Sequence, residues 1–387
     1  MYTVTLKKGE EKRILAGHPW VYANEVSKID GKDVQGSVCR VLGSDGRFIG
    51  LGFINHLSKI IVRILSRSDV EIDRAFFFHR IKAANDFRVS LGYENSYRAV
   101  FGENDFIPGL IVDKYDGVLS VQFLSLGTDA RKDMFVDILR EIFSPECIYE
   151  RSDVSVREKE GLKPVKGVLF GSLPSGHIIT ENGIKIKIDV ENGQKTGYFL
   201  DQRENRAALK NYAENAKVLD LFCNQGGFSL AAAKFGASGI TAVDISETAL
   251  RAVSENAALN GFKNIRALSA DVFELLRTYK KSGEKFDLII LDPPAFTKSK
   301  DTVKEGRKGY LDINTLALKL LNPNGILFTC SCSQHLPLAM FLDMLKESAV
   351  RAGQNPRLVE LRMQGKDHSP LLTAGEGLYL KAAVLRV

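Results

Sequence analysis

The stretch KVLDLFCNQGGFSLAAAKFG, residues 217–236, joins a short run of β-forming residues to a glycine pair and then to a helical pattern of small residues. The alternation continues downstream, where GITAVDIS, IRALSAD, FDLIILDPP and GILFTCSCS are strand-like and helical segments separate them. Strands that alternate with helices of this length predict a parallel, doubly wound α/β sheet. Ligands of such sheets bind beyond the carboxyl ends of the strands, so the residues that end each strand are the candidates for a site.

Upstream of this region the sequence has two other characters. The runs SVCRVL, FIGLGFIN and KIIVRILS in the first 70 residues favour short strands, and the GSDG tetrapeptide at 43–46 predicts a hairpin turn. Residues 70–92 predict a helix with Ala75, Phe78, Ile81 and Ala84 on one stripe, and a hairpin, a helix and a strand follow it. We therefore expect a small β-barrel or sheet over 1–70, a central α/β domain over 71–188 and the doubly wound sheet over 189–387.

Composition narrows the class of protein. Apolar residues make up 44% and charged residues 26% of the 387, which is typical of globular domains. The first residues lack the apolar core of a signal peptide, and no run approaches the roughly 18 apolar residues of a membrane helix. Five cysteines, an odd number, indicate a reducing cytoplasm. The absence of a C-x-x-C pair and the scattered histidines argue against a zinc site.

The net charge of +6 is unevenly distributed. Residues 1–70 contain 11 Lys and Arg against 7 Asp and Glu, so that +4 of the +6 lies there. A basic module at this place is compatible with a polyanion such as nucleic acid. A solvated basic surface without a partner explains the charge equally well.

Acidic residues end four consecutive predicted strands. Asp220 ends the first strand, Asp244 follows it by 24 residues, and Asp271 and Asp292 end the third and fourth. A carboxylate at the second strand end can bind both hydroxyls of a ribose, and Asp271 could meet an adenine amino group. A single such acid often only caps a helix, but four in register favour a ligand. The turn at Gly226 lacks the G-x-G-x-x-G spacing of a pyrophosphate site, which predicts an adenosine ligand without phosphates.

The motifs VLDLFCNQGGFSL, VDIS, ADVFELL and LDPPAF resemble those of class I S-adenosylmethionine-dependent methyltransferases. GQKTGYFLDQRENR, residues 193–206, resembles the signature of RlmI-type methyltransferases, which form 5-methylcytosine in large-subunit (23S) ribosomal RNA. AGHPWVYANEV and the β-rich start resemble that family's PUA domain, an RNA-binding fold, and EGLYLKAAVLRV resembles its last strand. The resemblance implies S-adenosylmethionine as cofactor, ribosomal RNA as partner and a homodimer. It also implies a cofactor pocket formed by Lys195, Thr196, Tyr198, Asp201, Arg203, Asp220, Phe222, Gly226, Asp244, Ile245, Asp271, Val272 and Asp292.

Carbon 5 of cytosine is a poor nucleophile, and a thiolate that adds to carbon 6 activates it. Cys330 and Cys332 share one face of the predicted fifth strand, and Cys332 lies nearer its carboxyl end. Cys332 also occupies the family's SCS triplet, so we expect it to be the nucleophile and Cys330 to be packing. Asp292 and the Pro293 carbonyl could hold the edge of a flipped base, and Phe296 could stack on its ring.

Two other readings of the sequence stay open. A related branch that methylates guanine has a similar DPP-x-F loop, and there Cys332 would be passive. An RNA-binding protein without turnover is the alternative from another class. In either case the basic residues after the loop could grip phosphates: Lys298, Lys300, Lys304, Arg307 and Lys308. Residues 292–300 contain no second cysteine, so the group that removes the carbon-5 proton is not identified.

Overall fold

The computed structural model describes residues 1–297 and 300–387, and the chain divides into two compact units. The first unit consists of Met1–Ile179, Ile188–Leu200 and Lys366–Gly377. The second consists of Thr180–Lys187, Asp201–Gly365 and Leu378–Val387. The domain limits expected at residues 70 and 188 stay a prediction.

The first unit begins with a six-stranded sheet. Its strands are β1 (Tyr2–Leu6), β2 (Trp20–Tyr22), β3 (Val26–Asp30), β4 (Val38–Leu42), β5 (Phe48–Ile54) and β6 (Ile60–Ser66), with helix α1 (Glu11–Leu15) after β1. The strand order is β2-β6-β5-β4-β1-β3. The expected turn at residues 43–46 is present and joins β4 to β5. It is held by hydrogen bonds from Gly46 N to Gly43 O and from Arg47 N to the Asp45 carboxylate. Alternate apolar residues such as Val4, Val41 and Val62 fill its core.

A second sheet follows in the same unit. It contains β7 (Ser96–Phe101), β8 (Leu110–Tyr115), β9 (Val118–Phe123), β10 (Cys147–Ser152) and β11 (Val165–Gly171), in the order β11-β10-β9-β8-β7. Helices α2 (Arg74–Ser90), α3 (Leu126–Asp129) and α4 (Lys132–Phe143) accompany it. The predicted helix α2 is present, but its buried residues are Phe77, Ile81, Ala84 and Arg88 rather than a stripe through Ala75 and Phe78.

The second unit is the doubly wound α/β part. After the hairpin of β12 (Ile178–Glu181) and β13 (Ile184–Lys187) come α5 (Arg203–Ala207), β14 (Lys217–Leu221), α6 (Gly227–Lys234), β15 (Gly239–Asp244), α7 (Glu247–Leu259), β16 (Ile265–Ser269) and α8 (Val272–Ser282). They are followed by β17 (Phe286–Leu291), α9 (Val303–Leu320), β18 (Leu321–Ser331), α10 (Leu338–Ala352), β19 (Arg357–Met363) and β20 (Lys381–Arg386).

The seven-stranded sheet of this unit has the order β16-β15-β14-β17-β18-β20-β19. The first five strands in this order run parallel, and β20 is antiparallel to both of its neighbours. Apolar side chains of α8, α9 and α10 form the main core cluster with the sheet, while Leu250 and Val253 of α7 belong to a smaller cluster. The carboxyl ends of β14, β15, β16, β17 and β18 therefore meet at one edge, as the alternating pattern predicts.

Candidate active site

Asp220 lies in the body of the sheet, near the end of β14. Its side chain is fully buried, and Oδ2 accepts a hydrogen bond of 2.6 Å from Ser229 Oγ. No described residue donates a hydrogen bond to Oδ1. Burial raises the pKa of Asp220 to about 7, and the nearby Asp292 acts in the same direction. A buried acceptor without a donor is costly, so this oxygen fits a ligand that brings an N–H group.

The turn after β14 is held in an unusual backbone conformation. Phe222, Asn224 and Gly226 have φ angles of 63°, 49° and 83°. Left-handed conformations of non-glycine residues cost energy and concentrate at ligand sites. At Gly226 a Cβ atom would lie 3.1 Å from Val253 Cγ2, so a side chain would crowd α7. The turn therefore brings backbone close to the site edge at the start of α6.

Asp244 follows directly on this turn in space. Its Oδ2 accepts from Asn224 N at 3.0 Å, and Oδ1 accepts from Ser246 N at 2.9 Å. Each carboxylate oxygen keeps a further lone pair, which suits the two hydroxyls of a ribose. Ile245, the next residue, is 75% exposed. A large apolar side chain that is exposed beside an ordered carboxylate is suited to contact a flat apolar ring of a bound ligand.

The segment after the third strand, β16, carries an acidic residue that caps a helix. Asp271 is the N-cap of α8, and its Oδ1 accepts from Glu274 N at 3.0 Å. This is the helix-capping role that the residue type favours, and it leaves Oδ2 for a ligand. Val272 is buried in the main core cluster, so its side chain packs there.

The loop after β17 carries Asp292, Pro293 and Phe296. Asp292 is half-buried, and its Oδ1 accepts from Gln202 Nε2 at 2.9 Å. The ring of Phe296 packs among three aromatic side chains, with centroid separations of 4.7 Å to Tyr310, 6.0 Å to Phe273 and 6.2 Å to Phe222. These contacts show Phe296 and Phe222 in a packing role at the edge of the sheet.

Cys332 follows the last residue of β18 and is half-buried, whereas the other four cysteines are buried. Its thiol is 3.9 Å from the Pro293 carbonyl oxygen, to which it donates a weak hydrogen bond. Cys330 lies inside the strand, and burial raises its thiol pKa well above the usual value, as do the charges of Asp292, Cys332 and Asp201. The strand end thus brings one thiol, Cys332, beside the loop of Asp292.

Three side chains that the sequence reasoning did not name complete this edge. Tyr310 of α9 hydrogen-bonds through its hydroxyl to Ser333 Oγ at 2.9 Å and to Pro294 O at 3.4 Å. Lys381 of β20 donates to Ser333 O at 2.7 Å and to Tyr379 O at 2.8 Å. Gln202 is buried and also accepts from Asn205. The sequence indicates Lys381, because it is a lysine within the apolar run YLKAAVL. Gln202 lies inside the family motif at 193–206.

Asp201 and Arg203 belong to the same unit. The buried Asp201 accepts from Tyr379 through Oδ2 at 2.6 Å, and Arg203 begins α5 in a half-buried position. The last residues of these strands and the segments that follow them therefore carry eleven of the expected residues: Asp220, Phe222, Gly226, Asp244, Ile245, Asp271, Val272, Asp292, Pro293, Phe296 and Cys332.

Lys195, Thr196 and Tyr198 lie in the first unit. Thr196 is buried and donates through Oγ1 to Asp113 Oδ2 at 2.5 Å, and Arg98 binds the same carboxylate through two hydrogen bonds of 2.8 Å. Tyr198 is buried, and its N–H donates to the Tyr115 hydroxyl at 3.0 Å. Lys195 is exposed, with a φ of 53° and its Nζ 4.5 Å from the centre of the Phe199 ring. Their contact with a cofactor stays a prediction.

The basic residues after the loop divide into two groups. Lys298 lies outside the described residues, as does the side chain of Lys300. Arg307 forms an ion pair with Glu347 of α10, with a nitrogen–oxygen distance of 2.8 Å. Lys304 and Lys308 are exposed on one face of α9. Among the helices of residues 1–297 and 300–387, none has both the length and the apolar character to cross a membrane.

Comparison with known proteins agrees with this architecture. Residues 4–67 match the model of a PUA-like domain, and residues 168–384 match that of an S-adenosylmethionine-dependent methyltransferase. Ribosomal RNA large subunit methyltransferase I of Shewanella amazonensis is 44% identical, with 99% of each chain covered. The protein of that name from Aeromonas salmonicida is 41% identical, covering 99% of this chain and 98% of the relative.

Among solved structures, the methyltransferase SMU.776 in complex with SAH aligns over 100% of both chains, with a TM-score of 0.87 and 21% identity. That likeness supports the fold. The buried, donor-free oxygen of Asp220 and the exposed Ile245 beside Asp244 fit the ammonium and adenosine parts of S-adenosylmethionine, which is the cofactor of this domain. The chain therefore belongs to the ribosomal RNA large subunit methyltransferase I family of S-adenosylmethionine-dependent methyltransferases.

Proposed function

We propose that this protein methylates carbon 5 of a cytosine in large-subunit ribosomal RNA, with Cys332 as the nucleophile. The observation that carries the proposal is the position of Cys332, a half-buried thiol at the end of β18 and 3.9 Å from the Pro293 carbonyl. The choice of ribosomal RNA comes from the relatives that share 41–44% of its sequence. The homodimer and the cytoplasmic location stay predictions.

The chemistry divides between the cofactor and the chain. S-adenosylmethionine supplies an electrophilic methyl group. Cys332 supplies the electron push, because its thiolate adds to carbon 6 and makes carbon 5 nucleophilic. When the carbon-5 proton leaves, the bond from sulfur to carbon 6 breaks and the thiolate is restored.

The neighbouring residues would position the base. A base inside an RNA helix cannot reach this edge, so it must be extruded from the stack. The Pro293 carbonyl accepts hydrogen bonds and lies beside the thiol, which suits the amino group of cytosine. The hydrogen bond from Gln202 fixes the Asp292 carboxylate at the start of the same loop. Phe296 packs against Tyr310, with ring centroids 4.7 Å apart, and this contact supports the loop. Its stacking on the extruded base stays a prediction.

The loop and the strand end are joined by direct contacts. Thr297 N donates to Ser333 Oγ at 3.4 Å, and the Tyr310 hydroxyl contacts both Ser333 and Pro294. A base bound by the Pro293 carbonyl would therefore keep a fixed position relative to Cys332. Such positioning is a large part of what an active site contributes to rate.

Trapping with a modified substrate tests the proposal. RNA that contains 5-fluorocytidine cannot release its carbon-5 substituent as a proton, so the covalent adduct should accumulate and survive denaturing electrophoresis. Peptide mapping should locate the RNA on Cys332. The Cys330→Ala variant is the matched control and should form the same adduct.

Two outcomes would contradict the proposal. Methylation of RNA by Cys332→Ala at the wild-type rate, on cytosine or on guanine, would show that the thiol is passive. Failure of the wild type to methylate any large-subunit RNA, despite cofactor binding in calorimetry, would instead favour an RNA-binding role without turnover.

A further inference from the structure

A chain of hydrogen bonds runs from the edge strand β19 to the loop of Asp292. Arg362 Nε donates to Asn205 Oδ1 at 3.0 Å, and Asn205 Nδ2 donates to Gln202 Oε1 at 2.7 Å. Gln202 Nε2 in turn donates to Asp292 Oδ1 at 2.9 Å. All four residues belong to the second unit. The hydrogen-bond chain therefore joins a residue of β19 to the loop that holds the base in the proposed function.

The two ends of the hydrogen-bond chain require one orientation of the two amides between them. A guanidinium group has only donors, so the Asn205 oxygen must face Arg362 and the Asn205 nitrogen must face Gln202. An ionised carboxylate only accepts, so the Gln202 nitrogen must face Asp292 and the Gln202 oxygen must face Asn205. Arg362 therefore favours the orientation in which Gln202 presents an N–H group to Asp292.

Burial makes the opposite orientation of the amides costly. Gln202 is 2% exposed and Asn205 is 1% exposed. Asn205 Nδ2 also donates to Met363 O at 3.2 Å. A reversed Asn205 amide would turn its nitrogen toward the donors of Arg362 and its oxygen toward the Met363 carbonyl. Buried donors and acceptors would then lack partners, which is unfavourable.

Arg362 is the end of the hydrogen-bond chain that lies nearest to solvent, and other contacts fix it. Its side chain is 27% exposed, and Nη1 forms an ion pair with Glu360. Nη2 donates to Glu204 O at 3.0 Å. These contacts use the two terminal nitrogens, which leaves Nε as the donor to Asn205. The guanidinium is therefore held in place by contacts other than the one to the amide.

We propose that Arg362 is a positioning residue for methyl transfer, which acts through Asn205 and Gln202 to orient the Asp292 carboxylate. The inference rests on the place of Asp292 in the proposed function and deepens it by naming what orients this group. Without the Arg362 donor, the Asn205 amide is free to reverse, and Gln202 then turns its oxygen toward the carboxylate. Loss of orientation of an active-site group lowers the rate even where binding is kept.

Steady-state methylation of large-subunit RNA by the full chain tests the inference. Arg362→Met has a long side chain without a donor, and it should lower kcat about tenfold while KM for RNA stays within about threefold. The matched control is Glu360→Gln, which removes the ion pair of Arg362 but keeps its Nε donor and an acceptor for the Tyr212 hydroxyl. A wild-type kcat in Arg362→Met, or an equal loss in Glu360→Gln, would overturn the proposal.

A change of polarity at Asn205 separates orientation from packing. Asn205→Asp keeps the shape of the side chain and an acceptor for Arg362, but it has no N–H group for Gln202. The Gln202 amide should then turn its nitrogen toward position 205 and its oxygen toward Asp292. We expect kcat to fall at least about tenfold in a variant whose thermal melting shows it to be folded. A wild-type kcat in this variant would contradict the proposal.

A double-mutant cycle tests whether Arg362 acts through Gln202. Gln202→Met should lower kcat by itself, because it removes the donor to Asp292. In that background Arg362→Met should change kcat by less than about twofold, since the connection to Asp292 is already broken. Asn205→Asp serves in place of Arg362→Met if the latter does not fold. A further tenfold loss, about the size of the single effect, would mean that Arg362 acts by another route and would overturn the proposal.

These results remain distinct from a failure of the proposed function. Full methylation by Cys332→Ala would refute the thiol mechanism, while the cycle would still report whether Arg362 and Gln202 act together. Independent losses from Arg362→Met and Gln202→Met, together with a trapped RNA adduct on Cys332, would refute the positioning role and support the nucleophile.

Discussion

Cys330 and Cys332 are two residues apart, but one lies in the body of the central sheet and the other at its carboxyl edge. Cys330 is fully buried within β18, and burial raises its pKa well above the usual value. Cys332 is half-buried beyond the strand end, with its thiol 3.9 Å from the Pro293 carbonyl oxygen. The same side chain is therefore inert in one place and suited to chemistry two residues later. The two cysteines therefore differ because one lies inside the strand and the other beyond its end.

The largest expected difference between Cys332, at the carboxyl edge of the sheet, and Cys330, in its body, is in the rate of methyl transfer. Replacing Cys332 with Ala should reduce methyl transfer by at least about 10⁴-fold, as expected when a nucleophile is removed. Transfer of labelled methyl groups to large-subunit RNA measures it. Cofactor affinity should change less than threefold, since in the proposed mechanism the thiol contacts the base and not the cofactor. A loss of cofactor binding equal to the loss of rate would indicate misfolding instead.

Asp220 shows that a residue in the body of the sheet can also take part in binding, because no described residue donates a hydrogen bond to its buried Oδ1 atom. Asp220→Asn should weaken S-adenosylmethionine binding by about 10- to 100-fold, the cost of one charge-assisted hydrogen bond. Calorimetry measures this affinity. The reference variant Ser229→Ala removes the donor to the other oxygen and should weaken binding less.

The raised pKa of Asp220 also predicts a pH dependence. The folded pKa of about 7 lies above the usual 3.8, so the folded state holds the proton more tightly between these values. The stability that this group contributes is present below pH 4 and is lost as pH rises to about 7. Without cofactor, Asp220→Asn should therefore melt higher than wild type at pH 8, with a smaller difference at pH 5. Equal differences at both pH values in calorimetric scans would contradict the assignment.

Gly306 tests how the edge is supported. A Cβ atom there would lie 2.3 Å from Thr297 Cγ2, against the loop of Asp292. Gly306→Ala should destabilise the protein by about 1–3 kcal/mol through overpacking, although alanine favours helices, and should lower activity about tenfold. Gly309→Ala, with a clearance of 3.1 Å to the Phe296 ring, should have a smaller effect in urea unfolding and methylation assays.

The smallest effect is expected in the body of the strand. Cys330→Ala should cost about 1 kcal/mol, comparable to the loss of one buried methyl-sized group. Methylation at 25 °C should remain within about twofold of wild type. A large loss of activity in a folded Cys330→Ala variant would remove the distinction between the two cysteines.

The sequence predicted the sheet well but the buried face of one helix poorly. Alternating strands and helices predicted the parallel order, and strand ends predicted the edge where Asp244 and Cys332 lie. Helix α9 begins at Val303 and contains Gly306 and Gly309, although glycine commonly interrupts helices. Here Gly306 and Gly309 are needed for close approach to the loop, which no local pattern reveals. The predicted buried face of α2 was wrong at Ala75 and Phe78, because the three consecutive phenylalanines at 76–78 are compatible with more than one buried face of a helix.

The sequence predicted the positions of the candidate residues at strand ends, but it did not predict a neighbour that depends on pairing across strands. The acids and Cys332 stand at or near strand ends, as expected, while their roles in binding and catalysis stay predictions. Asp271 caps α8, which is the simpler of its two expected roles. Lys381 comes from a strand distant in sequence, and its place beside Ser333 depends on the antiparallel register of β20 with β18. The pairing register of two strands that are far apart in sequence cannot be predicted from one amino-acid sequence.

The position of β20 has a consequence for biosynthesis. This strand lies between β18 and β19, so β19 can join the sheet only through it. During translation the edge of β18 therefore stays unpaired until residues 381–386 have left the ribosome. A nascent chain lacks Lys381 and a complete sheet until then, so the part of the sheet next to Cys332 is completed only after β19 has been synthesised.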